Sequence, residues 1–143
     1  MNEILQKTTQ AIIEEKNSED GFDKSFDLVD QLLQEYGEIE LAEKLFEELS
    51  GKVAWEVISE LFGILVWSTS DNGSSLLATT NQWLQECNNI EKVKIALNLD
   101  CYPFKDKNEM KNVLNQVGLK YPEVKGHCQD LVESRFKLNE NQT

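Results

Sequence analysis

The residues best suited to metal or nucleophilic chemistry are one histidine and three cysteines: His127, Cys87, Cys101 and Cys128. His127 and Cys128 are adjacent, and neighbouring side chains on a helix point about 100° apart. The two therefore cannot easily bind one metal ion or act as a nucleophile–base pair. A zinc site or a Cys–His pair would need Cys87 or Cys101 to approach His127 in space. We expect a partly buried structural histidine instead, with no metal site and no catalytic site.

Other motifs of catalysis and cofactor binding are missing from the sequence. None of the seven glycines forms a GxGxxG or GxxxxGK phosphate-binding loop. The turn Asp71-Asn72-Gly73 lacks the spacing of a calcium loop and the Glu at its twelfth position. Pairs of carboxylates could support acid–base catalysis, but twenty-six acidic residues make any one pair unspecific. The sequence therefore predicts a protein that is not an enzyme and that uses no cofactor.

The net charge of −12 is unevenly distributed along the chain. Residues 1–60 hold sixteen Asp and Glu against five Lys, whereas residues 61–143 hold ten against nine Lys and Arg. A negative field of this kind repels nucleic acid and anionic lipid and attracts a basic partner. The lack of basic patches with interleaved aromatic residues also argues against nucleic-acid binding. Acidic surfaces serve solubility as well, so charge leaves that second interpretation open.

Cysteine usage and hydropathy indicate the compartment. The three cysteines are an odd number without a CxxC pair, which fits reduced thiols better than a disulfide framework. Polar residues occur throughout the first fifteen positions, unlike in a secretory signal. The longest apolar run is also too short for a bilayer, which needs about 20 apolar residues. We expect a cytoplasmic protein that does not enter a membrane.

The most apolar stretch, residues 53–67, predicts a buried helix. One narrow stripe, at spacings of three and four, carries its polar side chains and its glycine: Glu56, Ser59, Glu60 and Gly63. A helix that is apolar over most of its circumference must be surrounded by neighbours. We therefore expect this helix to lie at the centre of the fold.

Helical periodicity continues along the rest of the chain. It predicts seven further helices, at about residues 2–16, 22–36, 38–50, 75–87, 90–99, 106–118 and from 122 onward. We expect an all-α fold of about eight helices in a single domain, residues 1–143, with residues 138–143 as a frayed polar tail.

Two arrangements of these helices remain open. Two Tyr-Pro dipeptides, nineteen residues apart and each expected to open a helix, suggest stacked antiparallel hairpins of the HEAT-like kind. The alternative is a compact orthogonal bundle around the central apolar helix, residues 53–67.

Without a catalytic motif, surface recognition is the remaining function to consider. Carboxylates on the outward faces of the second and third helices form a candidate acidic ridge: Asp23, Asp27, Asp30, Glu40, Glu43 and Glu47. Such a ridge would steer a basic protein towards it at a high rate, although it could equally be an ordinary solvated surface. A second candidate surface joins the polar loop after the central helix to two tryptophans: Trp67, Asp71, Asn72 and Trp83. Aromatic side chains anchor interfaces, but both tryptophans could also belong to the core.

The central helix and the loop after it also carry a family resemblance. The helix runs from Trp55-Glu56-Val57 to Val66-Trp67, and Ser-Thr-Ser-Asp-Asn-Gly follows. With these features, and as a small acidic helical chain, the sequence resembles the immunity proteins of bacterial polymorphic-toxin and contact-dependent growth inhibition systems. The family that it resembles most is Immunity protein 30.

The resemblance implies a non-enzymatic protein that binds a cognate toxin domain and masks its active site or an essential surface. Many such toxins are basic nucleases, and an acidic inhibitor suits them because it mimics the charge of nucleic acid. We expect a monomer whose partner is neither nucleic acid nor a membrane. The alternative is a helical-repeat adaptor or regulator that binds a peptide or a partner protein in a groove.

Overall fold

A computed structural model of the chain describes residues 2–16, 18 and 21–141, with side chains as far as Lys137. Within these residues the fold is all-α, as predicted, and contains no β-strand. A short 3₁₀ turn lies at Pro122–Val124. The eight helices are α1 (Glu3–Glu15), α2 (Asp23–Tyr36), α3 (Leu41–Leu49), α4 (Trp55–Ser68), α5 (Ser74–Glu86), α6 (Ile90–Leu97), α7 (Lys107–Lys120) and α8 (Lys125–Asn141).

The chain divides into two compact units, residues 1–79 and 80–143. The first unit holds α1 to α4 and the beginning of α5, and the second holds the rest of α5 with α6 to α8. The expectation of a single domain stays a prediction. Of the predicted frayed tail, the backbone is helical as far as Asn141, and residues 142 and 143 lie outside the described residues.

In the first unit, α4 is the buried centre, as the apolar run predicts. Helices α1 and α2 pack against each other and against α4, which α3 also contacts. The buried side chains of α4 are Val57, Ile58, Ser59, Leu61, Phe62, Ile64 and Leu65. Each fully buried leucine or phenylalanine contributes about 1.5–3 kcal/mol to folding. Burial of this helix therefore contributes strongly to the stability of the unit.

One side of α4 is less buried by the other helices of the first unit. It consists of Glu56, Glu60, Gly63 and Trp67. These positions follow each other at spacings of four, three and four, so they share one side of the helix. Glu56 is exposed, the next two are half-buried, and Trp67 is 75% exposed. Ser59, which we expected on this stripe, is buried instead.

The second unit has a continuous core of its own. Its buried members are Leu84, Cys87, Val93, Ala96, Leu97, Phe104, Met110, Leu114, Val117, Val124 and Cys128. Helices α7 and α8 pack against each other, and the 3₁₀ turn contacts both. Pro122 opens this turn, as expected of the second Tyr-Pro dipeptide. Pro103, however, lies in the loop before α7, whose N-cap is Asp106.

Candidate partner-binding surface

His127 has a structural contact in the second unit. Its Nε2 lies 3.0 Å from the carbonyl oxygen of Leu97, so this nitrogen donates a hydrogen bond to the last residue of α6. The side chain is exposed rather than partly buried. Among the described residues, no group of three or more His, Cys, Asp and Glu side chains is arranged to hold a metal ion.

The three thiols of the second unit are all free, and each has a raised pKa. Burial raises the pKa of Cys87, and burial together with the nearby Cys87 raises that of Cys128 to about 11. Desolvation and then the charge of Asp100 raise the pKa of Cys101. A thiol with a raised pKa is mostly protonated at neutral pH and is a poor nucleophile. The chemistry of these cysteines therefore does not suggest a catalytic role.

All six carboxylates of the acidic ridge are exposed. Asp23, Asp27 and Asp30 lie on one side of α2, at spacings of four and three. Among the described residues, none of these three has a basic side chain within 4.0 Å. On α3, Glu43 and Glu47 are one turn apart, and Glu40 directly precedes the helix. The charges of α2 therefore remain available to an external partner.

The two units differ strongly in net charge. The first unit contains seventeen Asp and Glu against five Lys, and the second contains nine against nine Lys and Arg. The whole net charge of −12 therefore belongs to residues 1–79, and residues 80–143 are neutral overall. A charge concentrated in this way gives the first unit a stronger field than the average over the chain indicates.

Two loops of the first unit meet and form a small cavity. Glu38, after α2, accepts hydrogen bonds through Oε1 from the amide of Ser70 at 2.9 Å and from its hydroxyl at 3.1 Å. The cavity between the loops has a volume of about 100 Å³. We call it the acidic notch. Its lining residues are Glu38, Glu40, Leu41, Thr69, Asp71, Ser75, Leu76 and Thr79.

Asp71 organises the loop on one side of the acidic notch. Its Oδ2 accepts hydrogen bonds from the Ser75 amide at 3.0 Å and from the Ser75 hydroxyl at 2.7 Å. Its Oδ1 accepts a bond from the amide of Gly73 at 3.1 Å. The bond from the Ser75 hydroxyl is the main reason that the pKa of Asp71 lies below its ordinary value. Asp71 is therefore charged at neutral pH and caps the beginning of α5.

The same loop requires a glycine at position 73. Gly73 has a φ of 82°, in the left-handed region. A Cβ atom there would lie only 2.9 Å from Cγ1 of Val66. The amide of Gly73 also donates to Oγ1 of Thr69 at 2.8 Å. The loop is thus held closely against the end of α4.

Each of the two loops also contains a residue other than glycine in the left-handed region. Glu40 has a φ of 51° and Asn72 a φ of 55°. Asparagine adopts this conformation readily, whereas for other residues it costs about 1–2 kcal/mol. The carboxylate of Glu40 lies at the N-terminus of α3, where the helix dipole favours a negative charge.

Two large apolar side chains of the first unit are exposed to water. Ile39 is 79% exposed and lies between the two notch glutamates in the chain, while Trp67 is 75% exposed and lies two residues before Thr69. They are the two most exposed large apolar side chains in the part of the chain that the structure describes. Of the predicted partner-binding residues, Glu40 and Asp71 line the acidic notch, whereas Trp67 and Asn72 are exposed but are not among its lining residues.

Trp83 does not belong to an exposed surface. It is only 2% exposed, and Nζ of Lys92 lies 5.1 Å from the centre of its ring. It shares the buried side of α5 with Leu76, Thr80 and Leu84. This spacing of three and four is readable in the sequence and indicates a core position for Trp83.

Glu38 lines the acidic notch although it is not among the partner-binding residues predicted from the sequence. The sequence signal for this residue was the short connection after Tyr36. Such a connection requires a sharp corner between two helices, and the side chains of a corner often face the solvent. The bond from Ser70 to Glu38 has no local sequence signal, because the two residues are thirty-two positions apart.

A second concave region of the first unit is an open groove of about 440 Å³ between α1 and α2. Its lining mixes both signs of charge: Glu3, Gln6, Lys7, Gln10, Ala11, Glu14, Lys24 and Leu28. Lys7 and Glu3 form an ion pair at 3.1 Å within it. The groove should therefore select less strongly for a positively charged ligand than the acidic notch does.

Comparisons with models of protein families, with curated proteins and with solved structures found no match. No helix within the described residues is long and apolar enough to cross a lipid bilayer. The chemistry of the first unit is thus the basis for a functional proposal.

Proposed function

We propose that the chain is a non-enzymatic immunity protein, which binds a basic cognate toxin domain and masks its active site or an essential surface. The observation that carries this proposal is the location of the charge, since the whole net −12 belongs to the first unit. A concentrated charge of one sign accelerates association with a partner of the opposite sign and disfavours wrong partners.

Two exposed apolar side chains of the first unit support a role in protein binding. A tryptophan that is 75% exposed contributes little burial to the free chain. In a complex the same side chain would bury a large area, and tryptophan is among the residues that most often dominate interface energy. Exposed Trp67 and Ile39 on a negatively charged unit therefore fit an interface that combines apolar and charged groups.

The resemblance of the sequence to immunity proteins is the reason for naming a toxin domain as the partner. Charge and exposed apolar area alone would fit any basic protein. A toxin that acts on nucleic acid has a basic active site, and an acidic inhibitor would compete there with the substrate. The proposal therefore joins the family resemblance to the electrostatics of the first unit.

Calorimetric titration with the toxin domain encoded by the neighbouring gene tests this proposal. We expect binding at 50 mM NaCl that is weakened about tenfold or more at 500 mM, because salt screens the attraction between exposed charges. An equimolar amount of the chain should also inhibit the toxin. Absence of binding, or an affinity that does not change with salt, would contradict the proposal.

The groove between α1 and α2 favours a second candidate, an adaptor that binds a peptide or partner protein there. A groove of about 440 Å³ is within the usual size of a binding pocket. Gln10 lines it, so Gln10→Trp would fill the groove and abolish adaptor binding. Under the immunity proposal the same substitution leaves toxin binding unchanged.

A further inference from the structure

We propose that Asn72-Gly73 is a deamidation site that the folded loop keeps unreactive, and that Asn72 converts to aspartate or isoaspartate only when this loop opens. The Asn-Gly pair occurs once in the 143 residues. Asparagine is among the thermally labile residues of proteins, and a glycine after it hinders the reaction least because it has no side chain. The modification is a property of the chain itself and does not depend on the identity of a partner.

The reaction joins the backbone to the side chain. The amide nitrogen of Gly73 loses its proton and attacks Cγ of Asn72. A bond forms between these two atoms, the bond from Cγ to Nδ2 breaks, and the departing amino group takes up the proton and leaves as ammonia. Water then opens the cyclic imide at either of its carbonyl groups, which gives aspartate or isoaspartate. The conversion needs no oxidant, reductant or cofactor, but the N–H group of Gly73 must be free.

In the folded loop this N–H group is occupied. It donates to Oγ1 of Thr69 at 2.8 Å and to Oδ1 of Asp71 at 3.1 Å. Gly73 is buried and Thr69 is only 8% exposed, so hydroxide has little access to the proton. Asn72, by contrast, is exposed. The labile side chain therefore lies at the surface, while the nitrogen that must attack it is bonded in the interior.

Contacts on both sides of Gly73 also restrict the movement that ring closure requires. A Cβ atom there would lie only 2.9 Å from Cγ1 of Val66 and 3.0 Å from its Cα, so the backbone is packed closely against α4. The carbonyl oxygen of Gly73 accepts a bond from the amide of Leu77 at 2.8 Å. Ring closure would also remove the N–H group and with it the bonds to Thr69 and Asp71. Reaction from the closed loop is therefore disfavoured.

Opening of the loop does not require the whole unit to unfold. Ser70, Asp71 and Asn72 are exposed, and the two bonds from Ser70 that hold the loop to Glu38 are exposed as well. Surface segments with exposed hydrogen bonds open at a lower free energy than the core. The rate of deamidation should therefore follow the fraction of time that this loop is open.

Peptide mapping by mass spectrometry tests the proposal on the full chain, incubated at pH 8 and 37 °C. One sample is folded in buffer and the other is unfolded in 6 M guanidinium chloride. A synthetic peptide of residues 68–75 in both solutions corrects for the effect of the denaturant. We expect Asn72 to convert at least about tenfold more slowly in the folded chain. Equal corrected rates would overturn the proposal.

Hydrogen exchange of the Gly73 amide, followed by NMR, is a second readout that needs no variant. Exchange and deamidation both require the same N–H group to be released from its acceptors. The fold should therefore slow exchange by about the same factor as deamidation. A Gly73 amide that exchanges as fast as in the peptide would contradict the proposal.

The matched variants are Thr69→Val and Thr79→Val. Each replaces a threonine by a side chain of the same shape, but only Thr69 accepts the bond from Gly73, whereas Oγ1 of Thr79 donates to the carbonyl oxygen of Ser75 at 3.2 Å. Thr69→Val should speed deamidation of Asn72 about three- to tenfold, as expected from the loss of one hydrogen bond. Thr79→Val should react like the wild type. Equal rates for the two variants would overturn the proposal.

Glu15→Gln separates opening of the loop from a general loss of stability. Glu15 bonds to Lys24 and Ser25, in the same unit but at the junction of α1 and α2. This variant should leave the rate at Asn72 unchanged, and circular dichroism at 37 °C confirms that all the variants are folded. If Glu15→Gln accelerated deamidation as much as Thr69→Val, the reaction would follow unfolding of the unit and not opening of the loop.

Discussion

The carboxylate of Glu15 joins the first two helices. Its Oε1 accepts hydrogen bonds from the amide of Ser25 at 2.7 Å and from the hydroxyl at 2.6 Å, and its Oε2 accepts one from the amide of Lys24 at 3.2 Å. The N-cap residue of α2, Phe22, provides no side-chain bond of its own. Glu15, at the end of α1, therefore caps α2 from outside that helix.

These bonds make the stability of the first unit depend on pH. Desolvation by burial raises the pKa of Glu15, but the hydrogen bonds from Ser25 and Lys24 together lower it by more. The net result is a pKa below the ordinary 4.5. A group with a lowered pKa in the folded state stabilises the fold above its unfolded-state pKa. That contribution disappears as the pH falls through the folded-state value.

Glu15→Gln should therefore destabilise the protein by about 1 kcal/mol at pH 7, the usual effect of losing a helix cap. The difference from the wild type should shrink as the pH falls below about 4.5. Urea unfolding followed by circular dichroism at pH 7 and pH 3 measures it. Glu14→Gln, a change at the neighbouring exposed position, should have less than about 0.5 kcal/mol of effect. If the stability difference between Glu15→Gln and the wild type persisted at pH 3, the negative charge of Glu15 would not be its cause.

The backbone at Glu40 gives a second prediction for a single residue. Its φ of 51° is unfavourable for glutamate and for alanine, whereas glycine adopts it freely. Glu40→Gly should thus be more stable than Glu40→Ala by about 1 kcal/mol, although both lack the carboxylate. Thermal unfolding of the two variants gives this difference directly. If the alanine variant were equally stable, the left-handed conformation would not be a strain on the corner.

At the scale of the elements, periodicity predicted the helices well. Each predicted boundary that can be compared lies within three residues of the observed one. The largest differences are at the start of α3 and of α8. Residues 38–40 are acceptable in a helix, but Glu38 bonds to Ser70 and Glu40 adopts the left-handed region. Distant contacts thus determined this corner, and local propensity could not reveal them.

The two tryptophans show how far helical spacing can locate a site. Trp67 continues the outward stripe of α4 one turn beyond Gly63, and Trp83 falls among the buried positions of α5. Both placements follow from the 3.6-residue period. The meeting of the loops that form the acidic notch does not follow from it, because it depends on how α2, α3 and α4 pack.

Arg135 of α8 holds the loop between α6 and α7. Its Nη1 donates to the carbonyl oxygens of Pro103 at 3.0 Å and of Phe104 at 2.8 Å, and its Nη2 donates to that of Lys105 at 2.6 Å. Phe104 has a φ of 65°, in the left-handed region. Three carbonyl groups of an irregular loop thus depend on one planar cation.

Arg135→Lys should destabilise the protein by about 2 kcal/mol, because an ammonium group cannot reach all three acceptors and bonds to charged donors contribute about 1.5–3 kcal/mol. Urea unfolding measures this loss. Lys137→Gln, on the same helix and exposed, should change stability by less than about 0.5 kcal/mol. A lysine variant as stable as the wild type would mean that the loop does not need the guanidinium.

At the scale of the whole molecule, charge and structure divide the chain at nearby but different positions. The sequence shows the acidic excess before residue 61, whereas the units divide after residue 79. This boundary lies inside α5, where no Pro, Gly or change in composition marks it. Residues 61–79 contain only one acidic residue, Asp71, so the charge asymmetry could be predicted although the boundary could not.

The central claim is that the acidic first unit steers a basic toxin domain. Its most direct test is the association rate constant, measured by stopped flow at 50 mM NaCl for two variants that each remove three exposed carboxylates. One is Asp23→Asn with Asp27→Asn and Asp30→Asn in the first unit. The other is Asp100→Asn with Asp130→Asn and Glu133→Gln in the second.

We predict that the first variant associates several-fold to about tenfold more slowly than the wild type and that the second associates as fast as the wild type. At 500 mM NaCl the three rate constants should converge, because screening removes the steering field. Equal rate constants for the two variants at low salt would contradict the claim that the charge of the first unit guides the partner.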